Sequence, residues 1–304
     1  MVLTHVVSNV GDHVVLVVSS GDETALAFDE LGHIRLLGVV VTKSCCGYLA
    51  KTLATSTPTL RIQICGPVVI ERGGERVEGL LPGRQGRTLF CFLVLNHQRL
   101  VPRDELIDAL WPTGGPGDPE AALSSLLSRL RRVTSGSQLD GRGTVRLSLE
   151  DATVDLDTAN AAIHRAESAV AQRQWERAWA ASQISMFTAR RGFLPGEDAL
   201  WIDRVRRHLD ELHVRSLETY AAAGLGLGGT ELAAARDAGR TLVELAPLRE
   251  SGHRLLMQAL AKEGNTGEAL RAYEHLWQFL VDELGIGPSA ATRQLYERLL
   301  LDDD

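Results

Sequence analysis

The chain has 304 residues, 44% hydrophobic and 23% charged, and a net charge of −7. That is the composition of two or three ordinary globular modules, and it excludes a largely disordered, collagenous or disulfide-scaffold protein. The acidic sum also excludes a chain that is basic throughout, yet residues 84–146 hold nine arginines against six acidic side chains, enough for a local basic patch.

The longest apolar runs, Val14–Val18 and Leu36–Val41, fall well short of the roughly 18–20 residues that a membrane-spanning helix needs. Met1-Val2-Leu3-Thr4-His5 has no basic segment leading into an apolar one, so neither a membrane partner nor a secretory signal is expected. Cys45, Cys46, Cys65 and Cys91 show no C-x-x-C spacing and no histidines at zinc-ligand distance. They read as reduced, mostly buried thiols, with no metal site expected. Only Lys43, Lys51 and Lys262 are lysines among 32 basic residues, a bias that points to a GC-rich genome.

Residues 1–58 form a β-rich extension of unassigned role. Its β-branched runs 14–18 and 34–41, divided by Gly21-Asp22 and Leu31-Gly32-His33, predict a few strands. Polar Thr52–Thr59, with Ser56 and Pro58, reads as a linker. From Leu60 to Cys65 apolar and polar residues alternate with period two. Gly66-Pro67 interrupts, and Val68-Val69-Ile70 resumes before a Gly73-Gly74 turn, which predicts a small antiparallel sheet.

At Arg84 the period changes. Leu89, Phe90, Leu93 and Val94 share one face of a helix that ends near Asn96. A second helix follows Val101-Pro102 and carries Leu106, Ile107, Leu110 and Trp111, until Pro112 and a glycine-rich stretch stop it. Asp118 offers an N-cap to a third helix, with Pro119 at its first position and Glu120 beside the positive end of the helix dipole.

That third helix, 119–134, places Leu123, Leu126, Leu127 and Leu130 on one apolar stripe. The opposite face carries Ser125, Ser128, Arg129 and Arg132 at the same i, i+3, i+4, i+7 spacing. Arginine can bond guanine edges or grip phosphates, and small serines let a helix approach a major groove closely. An exposed, solvated helix face is the alternative. After this helix, Gly141 to Leu149 alternates around glycines like half of a hairpin, in the place where a winged helix keeps its wing.

The order of sheet, three helices and hairpin over residues 59–157, with the segment Asp104-Glu105-Leu106-Ile107-Asp108-Ala109-Leu110-Trp111, resembles the OmpR-type winged helix of bacterial regulators. The resemblance makes 119–134 the recognition helix. Ser125, Ser128, Arg129 and Arg132 would then face bases, Arg131, Arg142 and Arg146 would meet phosphates, and Arg84, Arg87 and Arg103 would be further phosphate contacts. The wing strand Gly143-Thr144-Val145-Arg146-Leu147 lacks the tyrosine common in such domains.

Residues 158–304 are helical by period, punctuated at Gly192–Gly196, Gly224–Gly229, Pro247, Gly264-Asn265 and Gly285–Pro288. The helix starts at Trp175, Thr230 and Thr266 echo one another, which predicts a degenerate helical-repeat array suited to protein contact. The segments Glu268-Ala269-Leu270-Arg271-Ala272-Tyr273-Glu274, Leu280-Val281-Asp282-Glu283-Leu284-Gly285-Ile286-Gly287-Pro288-Ser289 and Leu295-Tyr296-Glu297-Arg298-Leu299-Leu300 resemble the end of a bacterial transcriptional activator domain.

Together the two resemblances match the Streptomyces antibiotic regulatory protein type of activator. They imply a mainly α protein with small β elements, in which a winged helix-turn-helix precedes a tetratricopeptide-like all-α domain and follows a short β-rich extension. They also imply a cytoplasmic, actinobacterial regulator whose partners are double-stranded promoter DNA and RNA polymerase or another protein, with a homodimer as a further arrangement. The extension is too short for a phosphoacceptor receiver, so no phosphorylation switch is expected.

No catalytic constellation and no cofactor site stand out. His208 and His213 are five apart and diverge round a helix, unlike H-E-x-x-H. Gly224-Leu225-Gly226-Leu227-Gly228-Gly229 follows a helix and no strand, and reads as an interhelix turn. Trp175, Trp179, Trp201, Tyr273, Trp277 and Phe279 read as packing residues. The competing functional reading is an interaction module with a winged helix that no longer binds DNA, the C-terminal part of a larger protein.

Overall fold

The computed structural model describes residues 4–10, 13–19, 25–28, 34–36, 60–133, 139–141, 143–149 and 152–301, with side chains from residue 60 onward. The chain divides into two compact units, Met1–Thr57 and Pro58–Asp304. In the first, β1 (Thr4–Val10), β2 (His13–Ser19), β3 (Ala25–Phe28) and β4 (Ile34–Leu36) form an antiparallel meander in chain order. The two turns and the linker expected in this region, Cys45 and Cys46, and Arg142 lie outside the described residues.

In the second unit, β5 (Leu60–Gln63) pairs antiparallel with β6 (Val69–Arg72), which pairs with β7 (Glu75–Arg76). Leu60 and Ile62 are buried while Arg61 and Gln63 are half-exposed, the inside-outside alternation of a strand with one face on a core. The sheet is not purely antiparallel, as the sequence suggests. β11 (Ala152–Val154) lies parallel on the other side of β5, with Ala152 opposite Leu60 and Val154 opposite Ile62.

Three helices follow the sheet: α1 (Gly83–Leu95), α2 (Arg103–Leu110) and α3 (Pro119–Val133). The short strand β8 (Val101–Pro102) and β9 (Leu139–Asp140) flank β10 (Thr144–Leu147) and complete a winged helix. The Asp118 cap forms, its Oδ1 accepting from Ala121 N–H at 2.9 Å. Leu123, Leu126, Leu127, Leu130 and Val133 of α3 are all buried. Cys65 and Cys91 are buried free thiols, and burial raises the pKa of both, with the nearby Asp155 carboxylate adding to it.

The rest is helix: α4 (Asp155–Ala171), α5 (Trp175–Ala189), α6 (Leu200–Leu227), α7 (Glu231–Leu245), α8 (Glu250–Lys262), α9 (Thr266–Leu284) and α10 (Ala290–Leu301). Each packs on the next, so α4/α5, α6/α7 and α8/α9 are successive hairpins of a tetratricopeptide-like array. The echoing starts are the second helices of these hairpins. Two of the turns close identically, with Gln174 N–H donating to Ala169 O at 2.8 Å and Asn265 N–H to Leu260 O at 2.9 Å. The residue before each is left-handed, Gly264 in one turn and, unusually for a side chain, Arg173 in the other.

One expected break is absent. Gly224 and Gly226 lie inside α6, which runs on to Leu227, and only Gly228-Gly229 turn the chain. The reason is steric: a Cβ on Gly226 would sit 2.2 Å from the Trp175 ring, and one on Gly224 would sit 2.9 Å from Trp179. These indoles from α5 press on bare α6 backbone, and Trp179 stacks on Tyr220 at 3.9 Å. Tyr273 likewise stacks on Tyr296 at 4.1 Å, and Phe279 is half-buried, but Trp277 is exposed and is not the packing residue its spacing suggests.

A single hydrophobic core extends from Leu60 through the three winged-helix helices into Ile163, Ile202 and Leu212, so the winged helix and the first helical hairpin share one interior. Residue 158 falls inside α4. Gly226→Ala is predicted to lower the unfolding free energy by about 1–3 kcal/mol through overpacking against Trp175. Gly267→Ala, at an open position in the first turn of α9, is predicted to raise it by up to about 1 kcal/mol. Urea unfolding of the two variants checks both.

Candidate nucleic-acid interface

α3 is held on three sides and open on the fourth. Its leucine stripe faces the core. At its N-terminal end Arg103 of α2 donates from Nε to Glu120 Oε2 and from Nη2 to Ser124 Oγ, both at 2.8 Å. At its C-terminal end Arg131 donates from Nη2 to Gly141 O at 2.9 Å and from Nε to Leu139 O at 3.3 Å, so the helix is tied directly to the wing. Gly141 has φ +102°, and a Cβ there would meet Thr144 O at 1.8 Å; only glycine fits this turn.

The open face carries Ser124, Ser125, Ser128, Arg129 and Arg132, all exposed. Arg129 Nη2 donates to Ser125 Oγ at 3.2 Å, one turn back along the helix, which draws the guanidinium along the face. Arg132 makes no hydrogen bond or ion pair to any described residue. On the wing Arg146 is exposed, opposite Asp140 in the β10–β9 register. Arg87 is exposed on α1.

The ten residues singled out from the sequence therefore fall into separate groups. Ser125, Ser128, Arg129 and Arg132 lie together on one surface, with Arg146 on the wing. Arg103 and Arg131 belong to the struts that fix α3. Arg84 is engaged elsewhere, since its Nη2 donates to Gly196 O at 2.6 Å and its Nε pairs with Glu197, both in the loop between α5 and α6.

That loop belongs to a junction the sequence did not reveal. The carboxylate of Asp155, first residue of α4, accepts from Ile64 N–H at 3.0 Å, Cys65 N–H at 3.1 Å and its neighbour Leu156 N–H at 2.9 Å. Gly66 N–H donates to Gly192 O at 2.8 Å. Trp201 of α6 donates from its indole to Ala109 O at 3.0 Å and meets Phe92 and Phe193 edge-on at 5.0 and 5.9 Å. An acid in a first helical turn is the only local signal at Asp155, and it does not distinguish an interior clamp from an ordinary dipole partner. Burial raises the Asp155 pKa, and the backbone donors together with the Arg191 charge oppose that rise.

His208 and His213 do not converge. His208 Nε2 contacts Asn160 Oδ1 at 2.9 Å, whereas His213 Nδ1 is buried with no partner among the described residues. Among those residues no cluster of His, Cys, Asp and Glu could hold a metal ion, and no helix is long and apolar enough to cross a membrane.

A winged helix with an exposed arginine-and-serine face shares its core with a helical-repeat array, a two-module architecture. Residues 154–300 match the bacterial transcriptional activator domain. The chain is 31% identical over 246 residues to the regulatory protein AfsR of Streptomyces coelicolor, covering 80% of this chain and 24% of that protein. It is 28% identical to the transcriptional regulatory protein EmbR of Mycobacterium tuberculosis, over 81% of this chain and 65% of EmbR. It is 27% identical to the regulatory protein DnrI of Streptomyces peucetius, over 80% of this chain and 93% of DnrI. The solved structure of Mycobacterium tuberculosis EmbR in complex with a low affinity phosphopeptide superposes with a TM-score of 0.71 at 26% identity, over 80% of this chain and 65% of that one. Over residues 154–300 the chain is similar to the bacterial transcriptional activator domain, and the relatives it resembles are named as regulators; it spans about a quarter of AfsR.

Asp155→Ala leaves three backbone donors without their acceptor and is predicted to lower stability by at least about 2 kcal/mol. The pKa of Asp155 in the fold is raised above the unfolded value of about 3.9. The folded state therefore holds this proton more tightly, and the stability so gained is full below the unfolded value and lost as pH rises through the folded one. In urea unfolding at several pH values, the wild-type advantage over Asp155→Ala should be largest near pH 4 or below and shrink towards neutrality.

Proposed function

We propose that this protein is a cytoplasmic, DNA-binding transcriptional regulator of the activating kind. It reads promoter DNA with α3 and contacts RNA polymerase or another protein through the helical array. The division of labour follows the chain: residues 59–157 bind DNA, residues 158–304 bind protein, and the extension of residues 1–58 takes no assigned part. The observation that carries this reading is the exposed surface of Ser125, Ser128, Arg129 and Arg132 on a helix whose other sides are fixed by core, Arg103 and wing. A helix held at both ends presents its side chains in a defined register, which base reading requires and nonspecific charge attraction does not.

Within this reading Ser125, Ser128, Arg129 and Arg132 face base edges. Arg146 and Arg87, both exposed, meet phosphates, and Arg142 joins them. Arg131, Arg103 and Arg84 already bond protein groups, so they are not the main DNA contacts; Arg131 and Arg103 hold the reading surface, and Arg84 holds the junction to the array. The net charge of residues 59–157 is near zero, which makes the local clustering of arginines, not the charge of the domain, the source of attraction.

With about four phosphates neutralised, log affinity should fall against log salt with a slope of roughly −3 to −4. Arg129→Ala and Arg132→Ala should each cost about 1–3 kcal/mol on a cognate duplex and relax discrimination between bases. Fluorescence anisotropy of the full chain against its own upstream intergenic DNA and a scrambled duplex, over a salt series, measures both effects. Unchanged affinity of the Arg129→Ala/Arg132→Ala double variant removes α3 from the mechanism. A partner retained by residues 158–304, with no DNA affinity in the whole chain, would establish the interaction-module reading instead.

A further inference from the structure

A cleft of about 270 Å³ opens where the winged helix meets the array. One wall is Leu95 at the C-terminal end of α1, and another is Val205 of α6; both pack against the shared core. The polar lining comes from α4 and α6 and holds both signs of charge: Asp157 and Asn160 on one helix, Arg204 and His208 on the other. At about 30 Å³ per water in the liquid, the space equals roughly nine waters, below the range of drug-sized pockets and fitted to a very small metabolite.

The groups around it are only partly engaged with one another. Asp157 has a long ion pair to His97 Nε2 of the winged helix, at 3.9 Å. Asn160 and His208 bridge the two array helices at 2.9 Å, which leaves the Asn160 amide N–H groups available to an acceptor. Arg204 is exposed and makes no hydrogen bond or ion pair to any described residue. A guanidinium without a protein carboxylate is a ready bidentate site for a ligand carboxylate.

We infer that this cleft binds a small zwitterion of the free α-amino-acid class. The ligand carboxylate meets Arg204 and the Asn160 amide, its ammonium meets Asp157, and an apolar side chain lies between Leu95 and Val205. Opposed charges above an apolar floor select against a purely anionic or purely cationic molecule of the same size, because each leaves one protein charge facing it unpaired. Since the walls belong to both modules, an occupant touches the winged helix and the array at once. The site stands whether or not α3 reads DNA.

Saturation-transfer difference NMR of the full chain with L-phenylalanine as probe tests this, with 3-phenylpropionate and 2-phenylethylamine as analogues that lack the ammonium and the carboxylate. L-phenylalanine should show transfer, and each analogue should bind about tenfold more weakly or worse. Arg204→Ala and Asp157→Asn, both at exposed positions that leave the core intact, should each weaken L-phenylalanine by a similar factor. No transfer to L-phenylalanine, equal binding of either analogue, or unchanged binding in Arg204→Ala overturns the assignment. None of these results would alter the salt-dependent DNA binding expected above, so failure here and failure of the DNA reading are separate observations.

Discussion

Asp155 stands at the point where the strand β11 becomes the helix α4, and its carboxylate gathers the backbone N–H groups of Ile64 and Cys65 from just beyond β5. Three donors converge on one side chain in an interior that would otherwise leave them without partners, which is costly for a backbone amide. The parallel pairing of β11 with β5, the Gly66–Gly192 hydrogen bond and the Trp201–Ala109 hydrogen bond all lie around this clamp. Through them the winged helix and the first helical hairpin enclose one continuous apolar core. The two modules behave as a single packed body at this junction, not as beads on a flexible linker.

The same constraint fixes where the exposed face of α3 lies. α3 lies on the core that the junction stabilises, and the Arg103 and Arg131 struts fix its two ends. A load applied to the array through a bound protein would therefore be transmitted to α3 through packed side chains rather than lost in a hinge. Arginine serves three distinct purposes within a few tens of residues. Arg84 joins the modules, Arg103 and Arg131 hold the helix, and Arg129 and Arg132 stay on the surface. The planar, multidentate guanidinium suits all three.

The elements whose stabilising pattern is local were legible in the sequence. The leucine stripe of α3, the Asp118 cap and the alternation in β5 depend on residues within one or two turns, and periodicity reports those directly. The exposed positions of Ser125, Ser128, Arg129 and Arg132 follow from the same stripe. What was not legible depends on distant partners. β11 is three residues long and pairs with a strand some ninety positions earlier, so nothing nearby marks it. Gly224 and Gly226 look like a helix break until Trp175 and Trp179 are seen lying on them. Arg84 and Arg131 share the residue type and helical setting of Arg132, and spacing alone cannot say that their guanidiniums end on Glu197 and on the wing carbonyls.

In the proposed complex α3 enters the major groove with Arg129 and Arg132 towards base edges. Dimethyl sulfate protection on the chain's own upstream duplex tests it most directly, because methylation of guanine N7 reports the major groove and methylation of adenine N3 the minor groove. Guanine N7 positions on that duplex should be protected, with protection lost at particular guanines in Arg129→Ala or Arg132→Ala while binding at low salt persists. Protection confined to the minor groove, or a guanine pattern that both variants leave unchanged, would contradict it.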